Sequence, residues 1–69
     1  MSRYDGLDKI NTKGLELVDA YRRVKIYNCT DSHELVGRGY CVVSRGYCVD
    51  SQLTTLEHAK GVVDHFLCD

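Results

Sequence analysis

The sequence predicts an α+β fold: a three-stranded antiparallel β-meander, with a C-terminal α-helix packed on one face and a short N-terminal helical segment. The chain contains nearly the same seven residues twice, RGYCVVS at 38–44 and RGYCVDS at 45–51, and Tyr and Val favour extended backbone. Residues 54–67 then carry apolar side chains at helical spacing. We therefore expect one domain, 1–69, made of a helical segment 1–22, a sheet 23–53 and a helix 54–67.

The N-terminal segment carries a narrow apolar stripe. Residues 2–13 predict a short helix that ends near Gly14, because apolar side chains recur there at every third position: Tyr4, Leu7 and Ile10. Gly6 disfavours that helix, so a loose arm is the equal alternative. Residues 15–21 alternate like a strand and also fit a helix. Ala20 and the arginine pair that follows favour the helix, so a helical segment is the expectation, with the strand left open.

Three strands follow, at 23–30, 35–43 and 47–53. In the first, Val24 and Ile26 alternate with basic residues, the pattern of a half-buried antiparallel strand. In the third, one face carries Tyr47, Val49 and Leu53. We expect the helix to cover that face, and the opposite face of the sheet to remain partly bare.

The repeated segment predicts a hairpin whose register depends on the loop. A two-residue loop, Arg45-Gly46, sets Ser44 opposite Tyr47 but requires positive φ at Arg45, which is unfavourable outside Gly, Asn and Asp. A three-residue loop, 44–46, requires it only at the glycine. We therefore expect the longer loop, with Val43 opposite Tyr47, Cys41 and Val43 in the core, and Tyr40 turned outward beside Cys48 and Asp50.

The C-terminal helix has the clearest signals. Thr54 is the expected N-cap, with Glu57 reaching back from the third helical position. The apolar stripe that should face the sheet consists of Leu56, Ala59, Val62, Val63, Phe66 and Leu67.

Size and composition limit the function. The 69 residues carry a formal net charge of −1, which favours neither a nucleic-acid binder nor an acidic mimic of nucleic acid on bulk charge. No stretch is long and apolar enough to span a membrane, and the N-terminus lacks the apolar core of an export signal. We therefore expect a cytoplasmic protein whose four cysteines are free thiols.

Two constellations contain the residue types for chemistry. His65 and Cys68 lie three apart on the helix and form a metal site only if His58 or Cys48 joins them. Nucleophilic catalysis would need Cys41 or Cys48 beside a histidine, from the set His33, His58 and His65. Neither set has a recognisable spacing, so we expect no enzyme, no metal and no cofactor.

Binding is the expected function, and two surfaces are candidates. The first, suited to a protein partner because Tyr and Arg dominate binding hot spots, comprises Arg38, Tyr40, Arg45 and Asp50. The second, suited to nucleic acid because arginines neutralise phosphates, comprises Arg22, Arg23, Lys25, Arg38 and Arg45. A bare sheet face or an unpaired edge would also allow a homodimer.

The plan of a strand meander followed by a capped helix, over residues 23–67, resembles small proteins of phages and mobile elements, among them anti-CRISPR proteins. This resemblance implies an inhibitor that sterically blocks a host protein or ribonucleoprotein complex. The same plan resembles the small sheet-plus-helix domains that phage integrases use on DNA. Both resemblances concern architecture, and neither assigns a role to any residue.

Overall fold

A five-stranded antiparallel sheet with one helix forms the fold. The computed structural model describes residues 4–33 and 37–68. The elements are β1 Asp8–Lys9, β2 Glu16–Tyr21, β3 Val24–His33, β4 Gly37–Ser44, β5 Tyr47–Leu53 and α1 Leu56–Leu67. The strands lie in the order β1-β5-β4-β3-β2, and each neighbouring pair is antiparallel. The α+β class and the C-terminal helix are confirmed, and the sheet is larger than expected.

The predicted N-terminal helical segment is wrong over its described residues. Gly6 and Gly14 both have positive φ, 83° and 90°, which a helix does not accommodate. Between them the chain forms β1, a short edge strand on β5, and after Gly14 it forms β2, which pairs with β3. The strand interpretation of residues 15–21 therefore holds, because pairing with β3 outweighs weak helix propensity.

The three predicted strands correspond to β3, β4 and β5, which are the three inner strands of the sheet. β3 extends past residue 30 to His33, and the predicted start of the second strand, 35–36, lies outside the described residues. The meander therefore exists within a larger sheet, to which residues 4–21 contribute both outer strands.

The loop expected at 44–46 is wrong. Ser44 lies opposite Tyr47, so the loop is Arg45-Gly46, with φ of 53° and 84° at its two residues. Positive φ at both positions defines the tight turn whose twist matches that of the flanking strands. That match outweighs the steric cost at an arginine, which the sequence argument overestimated.

Register shifts in β5 rearrange the faces beyond the turn. Val43 faces Cys48, Val42 faces Asp50, and Tyr40 faces Leu53, so β5 carries extra residues on both sides of Asp50. Tyr40 is therefore half-buried under the helix rather than turned outward, which corrects the expectation for this side chain.

Both faces of the sheet are covered. The helix-face cluster packs α1 against the central strands through Val24, Ile26, Val42, Leu53, Ala59 and Val63. The back-face cluster consists of Tyr27, Cys29, Cys41 and Val43, and Ile10 and Leu15 of the N-terminal segment pack on it with Cys48. The expected bare face is wrong, because β3 and β4 are apolar on both sides and draw the N-terminal segment over the back. Cys41 and Val43 are buried as expected, but away from the helix.

The helix lies on the expected face, since Val49 and Leu53 pack with Ala59 and Val63. Its N-cap is Thr55, whose hydroxyl accepts the His58 amide at 3.0 Å, and the helix begins at Leu56. The cap was expected one residue earlier, at Thr54. Both threonines suit the position, and the point at which the chain leaves β5 selects the second.

Acidic side chains hold backbone amides on the outer strand β2 and on β5. Asp19 Oδ1 accepts the amide of Ala20 on β2 at 2.8 Å, and Asp50 Oδ1 accepts the amide of Ser51 on β5 at the same distance. An edge amide held in this way is withdrawn from pairing with another strand. No helix in the described part of the chain is long and apolar enough to cross a membrane.

Candidate functional site

The two tight hairpin loops lie at the same end of the sheet. β2 and β4 run toward that end and β3 and β5 run away from it, so the Arg22-Arg23 loop and the Arg45-Gly46 loop project side by side. Two strand spacings separate them, about 10 Å. We call this the basic end and define it by Arg22, Arg23, Lys25 and Arg45.

Three of these cations occupy a left-handed backbone. The φ values are 52° at Arg22, 69° at Arg23 and 53° at Arg45. Left-handed conformation costs an L-residue about 1–2 kcal/mol, and Asn, Asp and Gly occupy such loops at lower cost. Strained positions of this kind concentrate at functional sites, where the side chain is needed for another reason.

One arginine of the basic end is neutralised by the helix. The Asp64 carboxylate accepts hydrogen bonds from Arg22 Nη1 at 2.9 Å and from the Tyr21 hydroxyl at 3.1 Å. The Arg22 hydrogen bond is the largest cause that lowers the pKa of Asp64, and the bond to Asp64 is the largest cause that raises the pKa of Tyr21. This contact ties the β2–β3 loop to α1, so Arg22 is partly committed to the fold.

The remaining cations are less engaged. Among the residues that the structure describes, Arg23 and Lys25 have no ion pair. The Arg45 guanidinium lies 5.8 Å from the centre of the Tyr4 ring, a cation–π contact that preserves its charge. Arg23, Lys25 and Arg45 are all exposed. Three positive charges are therefore available to an anionic ligand.

An aromatic cluster supports the Arg45 loop from the helix side. The Tyr4 ring lies 5.4 Å from the Tyr47 ring and 5.7 Å from the Phe66 ring, and the Tyr4 hydroxyl is 2.9 Å from Ser44 Oγ. These contacts join the N-terminal segment, β4, β5 and α1 next to the loop. The position of Arg45 is thereby fixed relative to the rest of the end.

Two concavities flank the basic end, one on each face of the sheet. The helix-side concavity, about 400 Å³, is lined by Tyr4, Arg22, Arg23, Val24, Ser44, Arg45 and Leu67. The back concavity, about 350 Å³, is lined by Ile10, Thr12, Arg23, Lys25, Tyr27, Val43, Arg45 and Gly46. Arg23 and Arg45 line both, and among residues 4–33 and 37–68 no carboxylate lines either one.

The structure gathers most of the predicted nucleic-acid set and disperses the predicted protein-binding set. Four of the five basic residues form the basic end, whereas Arg38 lies near the opposite end of β4, about 23 Å from Arg45 along an extended strand. Tyr40 is half-buried under the helix, and the Asp50 carboxylate accepts the Ser51 amide. The four residues expected to contact a protein therefore do not form one surface.

The cysteine and histidine candidates occupy separate parts of the described structure. Cys41 is fully buried, and burial, followed by the nearby Cys48 and Cys29 thiols, raises its pKa to about 11, so its thiol is protonated at neutral pH. His58 and His65 are exposed on the outer face of the helix, and the side chain of His33 is outside those described. Within residues 4–33 and 37–68, no three potential metal ligands come together.

Comparisons with known proteins leave the function to be argued from geometry. No protein-family model, no curated protein and no solved structure matches this chain.

Sequence reasoning missed the residues that shape the site around the cations. The back concavity is lined by Ile10, Thr12 and Tyr27, because the N-terminal segment crosses that face beside β3. The prediction of an N-terminal helix gave no indication of this crossing. A signal was present for the loop itself. Arg22 and Arg23 stand between two segments that each alternate like strands, at the two-residue separation typical of a tight hairpin.

Proposed function

We propose that this chain is a small non-enzymatic protein that binds nucleic acid through the three cations of the basic end that have no ion pair among the described residues. The observation that carries the proposal is the convergence of Arg23, Lys25 and Arg45, three exposed cations from two hairpins, at one end of the sheet. Guanidinium and ammonium groups bind phosphate oxygens by charge-assisted hydrogen bonds. Phosphate contacts of this kind provide affinity without reading sequence.

The strained arginines add a second argument. Asn or Gly at positions 22, 23 and 45 would form the same loops with less strain. The arginine at each loop therefore supports a role for its charge and its reach. Of these three arginines, Arg22 forms an ion pair with the fold, whereas Arg23 and Arg45 form none with the residues that the structure describes.

The test is the salt dependence of binding to a labelled oligonucleotide, measured by fluorescence anisotropy. Each neutralised phosphate contributes about −0.7 to the slope of log K against log salt for a single strand and about −0.9 for a duplex. Three contacts therefore predict a slope between about −2 and −3. Absence of binding at low salt would overturn the proposal.

A second candidate is the inhibitor of a host protein or ribonucleoprotein complex that the sequence favours. The observation that supports it is the exposure of two adjacent large apolar side chains on edge strand β2, Leu17 at 53% and Val18 at 39%. Exposed apolar side chains are the usual anchors of a protein contact, although a pair is a small patch. The Asp19 carboxylate on the Ala20 amide disfavours strand addition, so contact would be through side chains.

The two candidates are separated by matched variants. Leu17→Gln should abolish capture of a protein partner from nuclease-treated host lysate and leave oligonucleotide binding intact. Lys25→Gln should do the reverse, because Lys25 lies at the basic end and Leu17 does not line it. Capture that Leu17→Gln does not weaken would count against the inhibitor surface.

A further inference from the structure

We propose that the back concavity is a binding site for a terminal phosphate, the doubly charged phosphomonoester of a mononucleotide or of the end of a nucleic-acid strand. This inference rests on the proposed function and names the ligand group within it. Three cations, Arg23, Lys25 and Arg45, line this one concavity, together with the hydroxyl-bearing side chains of Thr12 and Tyr27. Phosphate monoesters carry about −1.5 to −2 charges at neutral pH and three acceptor oxygens.

The walls come from three segments that are tied together. The amide of Ile10 donates to the carbonyl oxygen of Gly46 at 2.9 Å, which fastens the N-terminal segment to the β4–β5 loop. Arg23 enters from the other hairpin loop. The cations are therefore supplied by elements whose relative positions the sheet and this hydrogen bond hold, so little ordering is needed on binding.

The floor is apolar and buried. Val43 is 4% exposed and Tyr27 is 9% exposed, and both belong to the back-face cluster on the two central strands. Ile10 packs on the same cluster and borders the concavity. Cations above an apolar floor suit a phosphate attached to an apolar or planar group. The volume, about 350 Å³, lies within the range of small-ligand sites.

The helix-side concavity is the weaker anion site for three reasons. Arg22 is already paired with Asp64 at 2.9 Å, and the Ser44 hydroxyl is engaged with Tyr4. Leu67, the last residue of α1, lines it, so the partial negative charge of the helix C-terminus lies nearby. The back concavity has none of these disadvantages. Lys25 lines only the back concavity and Arg22 only the helix-side one, so the two can be tested separately.

The experiment follows NMR amide shifts of the labelled full chain during titration with a nucleoside 5′-monophosphate, with the unphosphorylated nucleoside as control. The monophosphate should shift Thr12, Tyr27 and Val43, and the nucleoside should not. Lys25→Gln should weaken this binding about tenfold, because one charge-assisted contact is lost. Arg38→Gln makes the same change of charge near the opposite end of β4 and should leave the binding unchanged. Both side chains are exposed, so both variants should fold, which circular dichroism checks.

Oligonucleotides with and without a 5′-phosphate distinguish the two sources of the group. If the phosphorylated strand binds more tightly than the unphosphorylated one, the site is assigned to strand ends. If the two strands bind with equal affinity and the monophosphate still shifts the amide signals, the site is assigned to free nucleotides. Shifts confined to Tyr4, Val24 and Leu67, or no shifts with the monophosphate, overturn the inference. Salt-dependent oligonucleotide binding together with no monophosphate shifts would remove the inference alone and leave the proposed function standing.

Discussion

Replacing Arg23 by Asn should weaken nucleic-acid binding without weakening the fold. The substitution removes one of three available cations at the basic end, and Asn tolerates the left-handed conformation that Arg23 adopts at φ 69°. Left-handed conformation costs an L-residue about 1–2 kcal/mol. Relief of part of that cost should keep the free energy of unfolding equal or raise it by up to about 1 kcal/mol, a Tm increase of about 4–8 °C.

The loss in binding follows from the number of phosphate contacts. For a duplex, three contacts predict that affinity falls about 40-fold between about 50 and 200 mM salt. Two contacts predict a fall of about 12-fold over the same range. Anisotropy titrations at several salt concentrations measure this slope, and thermal melts followed by circular dichroism measure stability on the same samples.

Arg22 provides the matched control, since it lies in the same loop with φ 52° but is paired with Asp64. The double variant Arg22→Asn, Asp64→Asn removes the pair without changing net charge. It should leave the salt slope at its original value. Equal slopes for the Arg23 variant and the parent protein would refute the assignment of Arg23 to phosphate. A lower Tm for Arg23→Asn would refute the claim that the left-handed conformation of Arg23 costs stability that Asn recovers.

Three further predictions concern the fold. Asp64→Asn should lower the free energy of unfolding at neutral pH. Because the folded protein lowers the pKa of Asp64, the difference in free energy of unfolding between the variant and the parent should shrink as the pH falls through the folded pKa. Urea titrations at several pH values measure this difference. Gly39→Ala should lower Tm by about 8 °C or more, since φ is +108° and the added Cβ would meet a backbone oxygen at 2.8 Å; an unchanged melt would contradict this geometry. Asp19→Ala should increase self-association in light scattering by releasing the edge amide of Ala20, while Lys60→Gln, which removes only the ion pair of Asp19 at 3.6 Å, should not.

Periodic elements could be predicted, and short irregular ones could not. The stripe on α1 predicts its buried side, and Ala59 and Val63 are fully buried there. Residues 4–15 contain a two-residue strand and two glycines at positive φ. Their apolar side chains have the spacing of a helical stripe, but they pack in two different places, the aromatic cluster on the helix side and the back-face cluster. Local spacing alone does not distinguish these cases.

The candidate site shows the same division. Four of its basic residues could be named from the sequence, because consecutive cations beside alternating strands are visible as a pattern. Their convergence could not, since it depends on β2 being a strand whose loop lies beside that of β4. Arg38 belonged to the same pattern but lies at the other end of β4. Its position within the repeat did not reveal at which end of the sheet its side chain would lie.

The repeated RGYCV segment illustrates what each level decides. The sequence by itself determined that both copies are strands of one hairpin and that a helix covers the face carrying Val49 and Leu53, because alternation and helical spacing are local properties. Only the tertiary structure decided the loop and the register. Twist matching across the Arg45-Gly46 turn outweighed a strained arginine, and extra residues in β5 turned Tyr40 under the helix. Those outcomes depend on energies summed over paired strands, which no single segment contains.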